Sequence, residues 1–98
     1  METKTFYVYI MSNYKKSVVY TGVTSDLFKR VYEHKNHLKG KFTDRYNCTI
    51  LVYYEETNDA LVAFSREKEI KGWKRIRKDE LIMSKNKNWK DLAEGWYS

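Results

Sequence analysis

The chain contains no proline, only four glycines and a single cysteine in 98 residues. With Cys48 alone, an intramolecular disulfide and a cysteine-based metal cage are both excluded, and a reducing setting fits. No apolar run is long enough to span a bilayer, so no membrane attachment is expected. The opening stretch, Met1-Glu-Thr-Lys-Thr5, has no hydrophobic signal region, which points to a cytoplasmic protein. Internal repeats, low-complexity tracts and linker-like stretches are missing as well. What is left is a single domain with one modest core, a monomer by default, burying roughly 60–65% of its unfolded-chain surface.

Charge and tyrosine are what the sequence does have. The 19 Lys and Arg stand against 13 Asp and Glu, for a net charge of +6, and nine residues are tyrosine. Moderate basicity of this kind attracts a polyanion. Tyrosine-rich basic surfaces suit nucleic acid, because rings stack on bases and cations meet phosphates. They suit an ordinary half-buried sheet equally well.

Three stretches read as strands: Thr5–Met11, Val18–Val23 and Thr49–Glu55, each rich in β-branched and aromatic residues. The first two are joined by a polar connector of hairpin length, Ser12–Ser17, and are expected to pair antiparallel. That pairing brings Tyr9 and Tyr20 together if the register allows, with Gly22 marking a close approach or the exit into the turn. The third strand holds the most continuous apolar run and is expected at the centre of the sheet. Helices are expected over Ser25–Lys39, with Ser25 as N-cap, over Asp59–Gly72, and over Arg75–Ser84. Lys39–Asn47 reads as a basic, aromatic loop. The resulting fold class is α+β, a three-stranded antiparallel sheet flanked by helices in the order β-β-α-β-α-α. One domain spans residues 1–84, and the polar tail of residues 85–98 either docks by Trp89, Leu92 and Trp96 or frays.

Helical geometry singles out three polar residues. In the first helix Leu27, Val31 and Leu38 form an apolar stripe; His34 falls inside it and Arg30 on its edge. In the second, Ala60, Ala63 and Phe64 define the inward face, with Ile70 on its flank. Glu67 lies within that face, whereas Glu69 points almost opposite. A carboxylate facing inward must be neutralised, be paired, or hold a cation. The densest basic patch follows, from Lys71 through Lys74 and Arg75.

Tyr7-Val-Tyr9, Tyr20-Thr-Gly22, Arg30, His34 and Glu67, taken in order and at these spacings, resemble the GIY-YIG nuclease superfamily. The whole chain is similar to its small stand-alone prokaryotic members, as are the phrases Phe42-Thr-Asp-Arg-Tyr46 and Arg66-Glu-Lys-Glu-Ile-Lys-Gly-Trp73. Tyr7 stands where the name-giving Gly is found, Thr21 replaces Ile, and Val23 occupies a position where repair-type members carry Lys. The late polar residue that assists the metal in some members has no clear counterpart, Asn86 and Asn88 being the nearest.

The resemblance implies an endonuclease that hydrolyses phosphodiester bonds in DNA with the help of Mg²⁺ (or Mn²⁺), in repair or recombination. Tyr9, Tyr20, Arg30, His34 and Glu67 would be catalytic, with Glu67 as the metal ligand. Tyr20 would activate the attacking water, which for a phenol at neutral pH requires nearby cations. Arg30 would supply one and bridge the phosphate, His34 would relay the proton or bind phosphate, and Tyr9 would orient the water or Tyr20. Lys39, Lys41, Arg45, Lys71, Lys74 and Arg75 are the expected nucleic-acid contacts. Two other classes compete: a nucleic-acid-binding module with a decayed site, and an interaction domain in which Arg30 and Glu67 form an inter-helix salt bridge.

Overall fold

The computed structural model describes residues 4–38 and 41–97, and of Lys41 the backbone alone. Its elements are β1 (Phe6–Ser12), β2 (Val19–Thr24), α1 (Leu27–Lys35), α2 (Lys41–Arg45), β3 (Ile50–Thr57), α3 (Ala60–Lys71) and α4 (Arg75–Lys85). The expected strands and the three longer helices are present, and the α+β class holds. The expected helix end at Lys39 and the outermost residues 1–3 and 98 lie outside the described residues.

The sheet is antiparallel throughout, in the order β2-β1-β3. The centre is therefore β1 and not β3, a correction to the sequence-based expectation. β3 reads as a central strand because Leu51, Val52 and Tyr53 are buried on both of its faces, and its outer edge is met by the tail at Leu51. Leu51 on its outer side donates its N–H to Asp91 Oδ1 (3.2 Å), and its carbonyl accepts from Leu92 N–H (2.8 Å). At Leu51 the C-terminal tail thus takes the pair of hydrogen bonds that another strand would have taken, which shields this part of the edge.

Two apolar layers sandwich the sheet. On one face Val8, Ile10, Val52 and Tyr53 pack with Ala63, Ile70 and Ile82, bringing in α3 and α4. On the other, Tyr9, Met11 and Leu51 pack with Leu27, Val31, Cys48 and Ala93, bringing in α1 and the tail. The period-two alternation of β1 sends its odd and even residues to these opposite sides. The tail docks by its rings at α1: Trp96 stacks on Phe28 at 6.0 Å, and the Tyr97 hydroxyl donates to the Phe28 carbonyl at 2.6 Å.

Local chemistry refines four expectations. The N-cap of α1 is Asp26, not Ser25: its Oδ1 accepts from Lys29 N–H at 3.0 Å, the third helical residue, which a cap one position earlier would not reach. α1 stops at Lys35, and His37 turns left-handed with φ 58°, so Leu38 leaves the stripe and is exposed. Residues 41–45, expected as loop, form the single-turn helix α2. In α3 the inward stripe is Ala63, Glu67 and Ile70, whereas Phe64 is rotated about 100° from Ala63 and faces outward.

Candidate functional site

Tyr9, Tyr20 and His34 come from β1, β2 and α1 and meet on the α1 face of the sheet. Their ring centroids are 6.4 Å (Tyr9–Tyr20), 5.5 Å (Tyr9–His34) and 5.4 Å (Tyr20–His34) apart. The Tyr9 hydroxyl and His34 Nε2 share a hydrogen bond of 2.9 Å, and both residues are fully buried.

Gly22 makes this arrangement possible. It sits opposite Tyr9 in the β1–β2 register, and a Cβ added there would lie 2.5 Å from the Tyr9 hydroxyl and ring. Any larger residue would collide with the phenol, so the glycine marks a close approach. Tyr20 pairs with Met11 in the same register and reaches the Tyr9 ring diagonally, as long side chains on one sheet face can.

Burial pushes the Tyr9 phenol well above its ordinary range, and the neighbouring Tyr20 pushes it further. The Arg30 guanidinium opposes this only in part. Tyr9 therefore holds its proton and can orient a neighbour, while serving poorly as a base. Arg30 is half-buried on α1, with its Nε 3.1 Å from Glu33 Oε1.

Across the sheet edge, α3 presents Glu67. Its carboxylate side chain is 18% exposed, against 55% for Glu69, and its Oε2 lies 2.8 Å from Lys71 Nζ. Lys71 in turn lies 5.9 Å from the centroid of the Tyr20 ring, so it connects the acid of α3 to the tyrosine cluster. The Glu67 carboxylate beside it raises the Lys71 ammonium above its usual value. Sequence reasoning treated Lys71 only as a phosphate contact; its i, i+4 spacing from Glu67 was the available signal of a pair. Glu69 is taken up by Arg66, which also holds Glu55 at 2.9 Å.

The inter-helix Arg30–Glu67 bridge expected of an interaction domain is replaced by these two intrahelical pairs. Asn86 is buried with its amide committed to the α4–β3 junction. It donates to the Val52 and Lys90 carbonyls at 2.9 and 2.8 Å and accepts from Lys90 N–H at 3.0 Å. Asn88 is exposed in the turn after α4.

The expected nucleic-acid contacts are spread over several elements. Arg45 is exposed on α2 and lies over Tyr46 (5.6 Å), which touches Phe42, which lies 6.3 Å from Tyr20. Sequence reasoning missed this ring path because α2 read as a loop. Lys74 is exposed at the start of α4. Arg75 pairs with Asp79 (2.7 Å) and donates to the carbonyls of Ser17 (3.0 Å) and Lys16. Lys39 lies outside the described residues, as does the side chain of Lys41. A separate cleft of about 500 Å³ is lined by Tyr7, Asp26, Tyr54, Glu56 and Trp96 among others, and by none of the five candidate residues. Its two carboxylates would repel a phosphate.

A divalent cation fits Glu67 in kind, a hard oxygen donor on a partly exposed carboxylate. Among the described residues no group of three His, Cys, Asp or Glu could hold a metal ion. A cation at Glu67 would therefore take its remaining ligands from water and substrate. No described helix is long and apolar enough to cross a membrane.

The model of the GIY-YIG catalytic domain matches residues 5–81. A UPF0213 protein of Clostridium perfringens is 40% identical over 80 residues, covering 82% of this chain and 85% of its own. One from Haloquadratum walsbyi is 39% identical over 75 residues, covering 76% and 83%. The solution structure of a UPF0213 protein from Bacillus halodurans superposes with a TM-score of 0.57 at 26% identity, over 93% of this chain and 97% of that one. Sequence match and shared fold agree over most of the molecule, and the chain belongs to the GIY-YIG family, among its small UPF0213 members.

Proposed function

We propose that the protein is an endonuclease that hydrolyses phosphodiester bonds in DNA with the assistance of Mg²⁺ or Mn²⁺, acting in repair or recombination. The observation that carries this reading is the convergence of Tyr9, Tyr20 and His34 over Gly22, with Lys71 bridging that cluster to Glu67. Family membership supports the reaction class.

Glu67 would hold the cation, whose charge would stabilise the phosphate and the leaving oxygen. Tyr20 activates the water, a role supported by the His34 ring, 5.4 Å away between centroids, and by the Lys71 ammonium, 5.9 Å from the Tyr20 ring centroid. His34 takes part in moving the proton, its Nε2 already hydrogen-bonded to Tyr9. Tyr9 stays protonated by burial and fixes the position of His34. Arg30 offers a planar fork to the phosphate once its half-buried ion pair with Glu33 opens. Arg45, Lys71, Lys74 and Arg75, with Lys39 and Lys41, attract the backbone, so attachment is largely independent of sequence.

The test is incubation with labelled branched, nicked, duplex and single-stranded substrates, with and without Mg²⁺ or Mn²⁺. Metal-dependent cleavage of at least one DNA is expected. A folded protein that binds DNA but cleaves none of these substrates with either metal would instead be a binding module.

A further inference from the structure

We infer that the Lys71 ammonium is a placeholder at Glu67, keeping a divalent cation out until a nucleic-acid phosphate draws the ammonium away. This rests on the reading of Glu67 as the metal ligand.

The ammonium and a hard dication seek the same carboxylate. Lys71 Nζ lies 2.8 Å from Glu67 Oε2 and 5.9 Å from the Tyr20 ring centroid. One positive charge thus occupies the space between the two groups that the proposed chemistry uses. A dication arriving at Glu67 meets about twice the repulsion that a single charge would meet at the same distance.

The placeholder is also easy to move. The Lys71 side chain is 49% exposed, against 18% for Glu67, so the ammonium end of the pair reaches water, and i, i+4 helix pairs hold weakly. Its flexible stem and three rotatable donors let the ammonium pass from Glu67 to a phosphate near Tyr20 without any shift of the helix. Arg66, one turn earlier on α3, is the contrast. Carboxylates on two sides hold it, Glu55 at 2.9 Å and Glu69 at 2.6 Å, and it has no such freedom.

Displacement couples two events. A bound phosphate removes the competing charge from Glu67 and at the same time offers oxygens to the incoming cation. The substrate-free protein therefore binds dications poorly, and metal loading follows nucleic acid. Lys71 is a positioning residue that acts through Glu67.

The test is Mn²⁺ binding to the full chain without nucleic acid, followed by the electron paramagnetic resonance of the free ion. Lys71→Met should bind Mn²⁺ tighter than wild type by on the order of tenfold. Lys71→Arg keeps the charge and should match wild type. Lys68→Met removes an exposed charge from the same helix and should stay within about twofold. Glu67→Gln should lose the binding that Lys71→Met gains when the two are combined. A folded Lys71→Met that binds no tighter than wild type, or shows no binding at all, overturns the placeholder; Lys71→Gln substitutes if that variant fails to melt cooperatively. Gained binding that survives Glu67→Gln overturns both the placeholder and the role of Glu67. A null result with Lys71→Met, alongside Glu67-dependent metal uptake in the presence of DNA, overturns the placeholder and leaves the metal reading standing.

Discussion

The two halves of the site are built on opposite physical terms. Tyr9 and His34 are fully buried, joined by a 2.9 Å hydrogen bond and packed among rings. Glu67 and Lys71 form an ion pair on one helix face, the lysine half in water. A dry hydrogen bond gains strength from the low local dielectric and holds one geometry. A wet ion pair is screened and exchanges partners readily. On the proposed reading the difference divides the labour: the buried half would set positions, and the half that reaches water would receive ligands.

That contrast breaks most visibly at Glu67. Glu67→Ala should abolish metal-dependent cleavage while costing less than about 1 kcal/mol of stability, since the Lys71 ammonium it leaves behind is half exposed and can turn to water. Glu69→Ala, on the outer face, should keep most of the activity. Cleavage of labelled DNA beside urea unfolding checks both, and an inactive Glu69→Ala would mean that the wrong acid has been chosen.

Next in size are Tyr20→Phe and Arg30→Ala, each expected to lower the rate by on the order of 10²–10³, the scale for one lost preorganised group. Single-turnover rates at saturating metal separate this from weakened binding. Both variants should melt close to wild type, because Tyr20 keeps its ring and Arg30 is half-exposed.

On the dry side the loss should appear in stability first. Gly22→Ala places a methyl group against the Tyr9 ring and should cost about 1–3 kcal/mol, as overpacking does. Urea denaturation reads this directly, and an unchanged midpoint would show that the Tyr9 ring has room to move. Smallest is the effect of a single cation at the rim. Arg45→Ala should weaken DNA binding modestly and reduce the slope of log affinity against log salt by about 1. An unchanged slope would remove Arg45 from the phosphate contacts.

Much of the fold was legible because local chemistry and pattern agree. β1 alternates, Asp59 caps the helix that follows it, and helical spacing puts Glu67 inward and Glu69 outward, although the cap of α1 falls on Asp26 instead of Ser25 and Phe64 leaves the inward face of α3. At Gly22 the sequence offered a close approach or the exit into the turn, and the structure shows the close approach. The strand order was not legible. Ile50–Tyr54 is apolar on both faces whether another strand or the tail covers its edge, and pattern alone does not tell these apart. Nor was α2, a single turn whose Phe42 is held by contact with Tyr20 and with Tyr46 just beyond the helix more than by propensity.

The sequence by itself determined the three strands and the three longer helices, their boundaries to within a few residues, and that Glu67 and Glu69 lie on different faces of α3. These follow from the periods of helix and strand and from hydrogen bonds within a few residues. Only the tertiary structure decided which faces meet. It placed Tyr9 beneath Gly22 and against His34, tied the β3 edge to Asp91, and brought the Lys71 ammonium between Glu67 and Tyr20. Apart from the Glu67–Lys71 pair, those contacts join residues far apart in the chain, and their energies depend on burial and distance, quantities that a linear pattern does not contain.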